Sequence, residues 1–209
     1  MSFATHSAYA PQSWGRGRSE RNLAEEIAVA IVVNGSTLAV MMATPADLEA
    51  FGIGFALTEG IIETATEIER IEVLDHDLGI EVRLWIGADK ANALNKRRRQ
   101  QAGPTGCGLC GIDSLEEALR EATAVTATLT LTPAQVMQAI AALPAHQPFH
   151  DATRAVHAAG FWTPDSLTVR EDVGRHNALD KLAGAMRGRD PTGALVLTSR
   201  VSIDLVQKA

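Results

Sequence analysis

The stretch Ile27-Ala28-Val29-Ala30-Ile31-Val32-Val33 is almost wholly β-branched and apolar, and Asn34-Gly35 follows it at once. Such a run predicts a strand. Asn-Gly predicts a two-residue hairpin turn, because both residues tolerate positive φ. Residues 37–43 then return as a second strand. Leu48, Phe51, Phe55 and Leu57 recur at helical spacing after Thr44-Pro45. Thr at the N-cap with Pro in the first turn predicts that the helix starts there. Gly60 predicts its end. Residues 71–74 and 80–86 predict two more strands, joined through Asp77-Leu78-Gly79.

Residues 89–101 read as a helix that leads through Gly103-Pro104 into a glycine-rich loop. Ser114-Leu115-Glu116-Glu117 has the form of a capping box and predicts a helix over 114–122. Residues 124–131 are rich in Thr and look extended. Thr132-Pro133 starts a further helix that ends before Pro144. A hairpin over 157–162 and 167–169 turns at Pro164-Asp165. A helix over 176–187, a strand over 194–198 and a last helix capped by Ser202 complete the pattern. The alternation predicts an α/β fold of mixed α+β character with some parallel pairing. Three regions are expected: a flexible tail over 1–24, a front region over 25–122, and a back region over 123–209.

The chain has 209 residues, 46% hydrophobic and 21% charged, which is the composition of an ordinary globular protein. No apolar run approaches the roughly 18 residues of a membrane span. The first two dozen residues lack the apolar core of a signal peptide, so a cytoplasmic protein is expected. A net charge of -6 argues against general nucleic-acid binding. The basic run Lys96-Arg97-Arg98-Arg99 reads either as a solvated helix end or as an anion site.

The chain holds two cysteines, Cys107 and Cys110, both within Thr105-Gly106-Cys107-Gly108-Leu109-Cys110-Gly111. A cysteine just ahead of a helix N-terminus feels the positive end of the helix dipole, which favours the thiolate. The thiolate is the nucleophile and the sulfur carrier, so chemistry on sulfur is the first expectation. A redox dithiol and a tight glycine turn with incidental thiols are the alternatives. A structural zinc site needs four ligands, usually two cysteine pairs or one pair with two histidines. One cysteine pair is present, so no metal site is expected.

A second constellation runs from Glu171 to Lys181, where polar groups of both signs crowd a strand-to-helix junction. Such junctions are where open α/β sheets place ligands. His176 can move a proton near neutrality. Asp172 and Arg175 either bind a polar ligand or pair with each other. His157, among small apolar residues, reads first as a hydrogen-bonded core histidine. Thr198-Ser199-Arg200-Val201-Ser202 combines hydroxyls, an arginine and a helix start. That reads as an anion site or as a simple N-cap.

Taken in order, these segments resemble the FdhD family, the formate dehydrogenase accessory sulfurtransferases. The resemblance covers most of the chain from Glu25 to Lys208. It is carried by Val33-Asn34-Gly35, Met41 to Glu49, Gly54 to Ile62, the cysteine loop, Glu171 to Lys181, Ser199-Arg200 and Val206-Gln207-Lys208. It implies a front hairpin-and-helix portion joined by the cysteine loop to a back half with a cytidine-deaminase-like three-layer sheet. It also implies a sulfurtransferase that takes sulfur from a cysteine desulfurase as a persulfide on Cys107, with Cys110 assisting. The acceptor would be the molybdenum of a bis-molybdopterin guanine dinucleotide cofactor destined for formate dehydrogenase. Arg175, His176, Ser199 and Arg200 are the expected cofactor-binding residues, and a homodimer is an open expectation. A cofactor-binding chaperone without sulfur transfer, and a zinc-stabilised binding domain, are the other readings.

The chain departs from the family pattern in three places. Pro104 stands before Thr-Gly-Cys, where relatives usually carry Arg, and Arg154-Ala155 replace small residues after Thr153. Relatives also continue past the position of Lys208, so a shortened C-terminal region is expected. Ala159 stands two residues after His157, where deaminases place their glutamate.

Overall fold

The computed structural model describes residues 5–9, 20–90, 125 and 129–209. The segment expected as a tail contains two strands, β1 (Thr5–Tyr9) and β2 (Glu20–Ala24), which pair antiparallel. A front sheet follows, built from β3 (Ile27–Val33), β4 (Ser36–Ala43), β5 (Ile68–His76) and β6 (Gly79–Ile86). Its order is β4-β3-β6-β5. The predicted Asn-Gly hairpin is present, with Asn34 at φ 45° and Gly35 at φ 79°.

One face of this sheet, with Val29, Ile31, Val33, Val82 and Leu84, is buried beneath helix α1 (Leu48–Thr58) and its Phe51. Alternate side chains point to one face of a strand, so the β-branched run supplies every second residue to this core. The parallel pairing expected at the end of the chain occurs here instead, between β3 and β6. The helix α1 also starts later than predicted, at Leu48 rather than beside Thr44. Thr44 cannot serve as its N-cap because tertiary partners engage its backbone and hydroxyl. Gly60, at φ 66°, follows the helix end as predicted.

The back half opens with α2 (Pro133–Ala142). The Thr132 hydroxyl accepts from the Gln135 amide N–H, and the Gln135 side chain accepts from the Thr132 N–H, a complete capping box. A 3₁₀ turn (Leu143–His146) and α3 (Pro148–Thr153) lead into β7 (His157–Thr163), β8 (Ser166–Asp172), α4 (Arg175–Ala185), β9 (Ala194–Leu197) and α5 (Ile203–Lys208). The back sheet has the order β8-β7-β9, with β7 antiparallel to both neighbours. β8 and β9 therefore run parallel to each other without touching, on either side of β7.

Ala159 of β7 packs with Ala178, Leu179 and Leu182 of α4. The next residue, Gly160, faces Leu143 on the opposite side. The back sheet is thus covered on both faces. α1 and α4 pack directly on each other between the two sheets. Gly54 lies against the backbone of Asp180 and Gly184, and Gly184 lies against the backbone of Ala50, with no room for a Cβ at either glycine. The result is a mixed α/β architecture of sheet, helix, helix and sheet. Among the described residues, no helix is long and apolar enough to cross a membrane. The cysteine loop with Cys107 and Cys110, the helices predicted over 89–101 and 114–122 apart from their first residues 89–90, and the Lys96 to Arg99 run lie outside the described residues.

Candidate anion site at the edge of the back sheet

Antiparallel pairing puts the start of β7 beside the ends of both β8 and β9. His157 pairs with Asp172, and Ala159 pairs with Leu197. Thr198 extends the second ladder: its N–H donates to the Ala158 carbonyl at 3.1 Å, and its hydroxyl accepts from the Ala158 N–H at 2.8 Å. The helices that follow β8 and β9, α4 and α5, both begin at this edge. Arg175, His176, Ser199 and Arg200 are therefore gathered at one rim. They reach it by flanking β7 rather than through neighbouring parallel strands.

Asp172 does not pair with Arg175. It is fully buried, and four donors satisfy it. Oδ1 accepts from Gly174 N–H at 2.8 Å and from Asn177 Nδ2 at 2.9 Å. Oδ2 accepts from Thr44 N–H at 3.0 Å and from Lys181 Nζ at 2.6 Å. Lys181 donates in addition to the Thr44 carbonyl at 2.8 Å, and the Thr44 hydroxyl accepts from Val173 N–H at 3.2 Å. Asp172 is thus a structural junction between the front and back sheets and leaves no acceptor for a ligand. It also explains why the Thr44-Pro45 signal does not start α1. Burial holds the Lys181 ammonium below the ordinary lysine range, against the attraction of Asp172.

Arg175 and His176 find a different carboxylate, Asp204 on α5. His176 Nε2 is hydrogen-bonded to Asp204 Oδ2, and Arg175 Nη2 lies 3.7 Å from the same oxygen. Burial works to raise the Asp204 carboxyl, yet neighbouring donors, His176 among them, hold it down to about 2. Arg175 Nε is buried with no hydrogen-bond partner among the described residues. Asp204 drew no attention in the sequence. Its one signal was its place in the first turn of a helix begun by Ser202, beside an arginine-bearing loop.

Ser199 and Arg200 sit in the link from β9 to α5. The Ser199 hydroxyl donates to the Arg200 carbonyl at 3.2 Å, and Arg200 is exposed with no ion-pair partner among the described residues. His157 stands at the same rim. Burial first, then the positive charges of Arg175 and His150, push it below the ordinary histidine value. Glu171 points to the other face of β8, where its carboxylate accepts from the Phe149 and His150 N–H groups at 2.9 and 2.7 Å. Burial raises its pKa against those two bonds.

A third polar cluster ties α5 down. Asp180 Oδ1 accepts from the Thr58 hydroxyl at 2.6 Å and lies 3.1 Å from Lys208 Nζ, which is 2.5 Å from Glu59 Oε1. Burial pushes the Asp180 carboxyl up to about 6. Two clefts open elsewhere, and neither is lined by the rim residues. One of about 600 Å³ lies between the start of α1 and Arg170, Arg187 and Arg189. The other, of about 350 Å³, lies beside Pro45, Phe149 and Glu171.

The rim thus offers Arg175, the exposed Arg200, the His176 ring, two hydroxyls and, in His157, a histidine of reduced basicity. That chemistry suits oxyanions. Comparisons with known proteins place the chain among relatives. The chain is 48% identical over 195 residues to the sulfur carrier protein FdhD of Agrobacterium fabrum, covering 90% of this chain and 72% of that one. It is 45% identical over 212 residues to the sulfur carrier protein FdhD of Cupriavidus necator, covering 98% of this chain and 74% of that one. The crystal structure of a candidate formate dehydrogenase accessory protein from Desulfotalea psychrophila superimposes with a TM-score of 0.67 at 26% identity, covering 99% of this chain and 77% of that one. Residues 24–209 match the FdhD/NarQ family, and the chain belongs to that family.

Proposed function

We propose that the chain is a sulfur carrier that holds transferable sulfur as a persulfide on Cys107 and delivers it within formate dehydrogenase maturation. The observation that carries this reading is the Thr-Gly-Cys-Gly-Leu-Cys-Gly loop inside the matched residues of a family whose relatives are named sulfur carriers. In the loading step the Cys107 thiolate attacks the terminal sulfur of a cysteine desulfurase persulfide, and the desulfurase leaves as its thiolate. Glycines on both sides of Cys107 let donor and acceptor surfaces approach. In the unloading step the Cys110 thiolate attacks Cys107 Sγ. A Cys107–Cys110 disulfide forms, the outer S–S bond breaks, and the terminal sulfur departs as sulfide with both electrons. The two cysteines supply those electrons, so no further reductant enters the step.

The acceptor is the molybdenum of a bis-molybdopterin guanine dinucleotide cofactor, bound as substrate. Its phosphates are assigned to the rim formed by Arg175, His176, Ser199 and Arg200. The unpartnered Arg175 Nε and the exposed Arg200 support that assignment. The back sheet, covered on both faces, supports a cytidine-deaminase-like reading of this half. Ala159 then occupies the place of the deaminase glutamate, so the rim binds and does not deaminate.

The test is intact mass after incubation with a cysteine desulfurase and cysteine. Wild type and Cys110→Ser gain one sulfur atom; Cys107→Ser gains none. Undiminished loading of Cys107→Ser removes the assignment.

A further inference from the structure

The Arg175 and His176 donors at the rim already have an occupant. Asp204 Oδ2 is hydrogen-bonded to His176 Nε2 and faces Arg175 Nη2 at 3.7 Å. A carboxylate oxygen and a phosphate oxygen are the same kind of acceptor for a guanidinium fork and an imidazole. Asp204 stays ionised across the physiological range, because its pKa is held at about 2. It therefore balances the Arg175 charge, and an incoming anion competes with it for the same donors.

Asp204 stands where an exposed link meets the docked helix α5. It is the second residue of the six-residue α5, and the chain before it at 198, 200 and 201 is exposed. The helix itself is fixed by Leu205, next to Asp204, and by Lys208 at its far end. Leu205 is 1% exposed in the core, and Lys208 lies 2.5 Å from Glu59 and 3.1 Å from Asp180. Phe55 lies under the same ammonium. The Asp204 side chain can leave its partners by a rotamer change while Leu205 and Lys208 stay docked. Arg175 Nε, which the Asp204 carboxylate does not satisfy, is a donor in waiting for a larger oxyanion.

We propose that Asp204 is a specificity-determining residue of this rim: its carboxylate occupies the oxyanion place on Arg175 and His176, and a diphosphate displaces it in preference to a monophosphate. The inference rests on the reading of the rim as the cofactor-phosphate site. A single phosphate group gains little by exchanging one anion for another. A diphosphate brings more charge and more acceptors, and reaches the free donor of Arg175 as well.

The experiment is calorimetric titration of the full chain with guanosine diphosphate and guanosine monophosphate. Wild type should favour the diphosphate. Asp204→Asn should bind both more tightly, the monophosphate by about tenfold, so that the preference shrinks. Asp204→Glu should keep the wild-type preference. A second readout needs no variant: the Asp204 carboxyl ¹³C resonance of wild type should shift on saturation with the diphosphate. An Asp204→Asn variant that binds equally or more weakly, while Arg175→Ala loses affinity, would make Asp204 an orienting group and overturn the proposal. An unmoved carboxyl resonance at saturation overturns it too. If Arg175→Ala and His176→Ala both bind as wild type, or no variant binds, the rim reading itself fails and takes the inference with it.

Discussion

Asp172 and Lys181 form a fully buried ion pair, with Oδ2 2.6 Å from Nζ, and the same carboxylate oxygen accepts the Thr44 N–H. One pair thus ties the front sheet, through the link after β4, to both β8 and α4. Removing one partner of such a pair costs about 3–5 kcal/mol, because a buried charge is left uncompensated. The two ends are not equivalent. Without Lys181, Asp172 keeps three donors, from Thr44, Gly174 and Asn177. Without Asp172, Lys181 keeps, among the described residues, only the Thr44 carbonyl as a hydrogen-bond acceptor. Urea unfolding should therefore show Asp172→Ala to be the more damaging change and Lys181→Met the milder one. The reverse order would show that the backbone donors contribute little.

The crossing of α1 and α4 predicts a second effect. A Cβ at Gly54 would overlap the Asp180 carbonyl, and one at Gly184 would overlap that of Ala50. Neither obstacle is a flexible side-chain end, so the helices must separate. Gly54→Ala and Gly184→Ala should each lose at least the roughly 1–3 kcal/mol typical of overpacking. Gly60→Ala, strained by φ 66° but with open space around it, should lose about 1 kcal/mol. Thermal denaturation of the three variants checks the ranking.

Elements specified by neighbouring residues were legible in the sequence. The run from Ile27 to Val33 needs only its own β-branched side chains, and Asn34-Gly35 only its own backbone freedom. Thr132 and Gln135 cap each other within one turn. Thr44 shows the opposite case. Its local sequence says N-cap, but its partners Asp172, Val173 and Lys181 lie at least 128 positions away and take the group first. The site divides along the same line. Arg175 and His176 were visible as polar residues at a strand-to-helix junction. Asp204, which pairs with them, was not, because nothing local to α5 announces which helix it meets. The same holds for Lys208, whose partners are Asp180 of α4 and Glu59 just after α1, in different halves of the chain.

The exposed and the paired arginine of the rim should behave differently toward an anion. Arg200 has no carboxylate partner among the described residues, so Arg200→Ala removes attraction alone. It should weaken guanosine diphosphate binding severalfold without changing the melting temperature. Arg175→Ala should weaken binding and also lower stability, since it strips a counter-charge from Asp204. NMR titration paired with thermal melts separates the two. Equal affinity for wild type and Arg200→Ala would move the phosphate contact elsewhere, with the Lys96 to Arg99 run the next candidate.

The docking of α5 should depend on pH through Asp180. Burial raises this carboxyl to about 6 in the folded chain, from roughly 3.9 when unfolded. The facing groups are Lys208 from α5 and Glu59 and Thr58 from the end of α1. Because the folded value is the higher one, the folded state holds the proton more tightly. Its contribution to stability is fully present below about pH 4 and is lost as pH rises through about 6. Asp204, held at about 2, works in the opposite sense and in a lower window: its contribution is present above about pH 4 and fades as pH falls toward 2. Between pH 4 and 7 the two do not overlap. The stability of wild type relative to Asp180→Asn should therefore fall across that interval. Hydrogen exchange at the amides of α5 gives the local form of the same test, with protection decreasing from pH 5 to 7 in wild type but not in Asp180→Asn. A wild-type profile parallel to that of Asp180→Asn would mean that Lys208 neutralises Asp180 completely, and that α5 is held equally at both pH values.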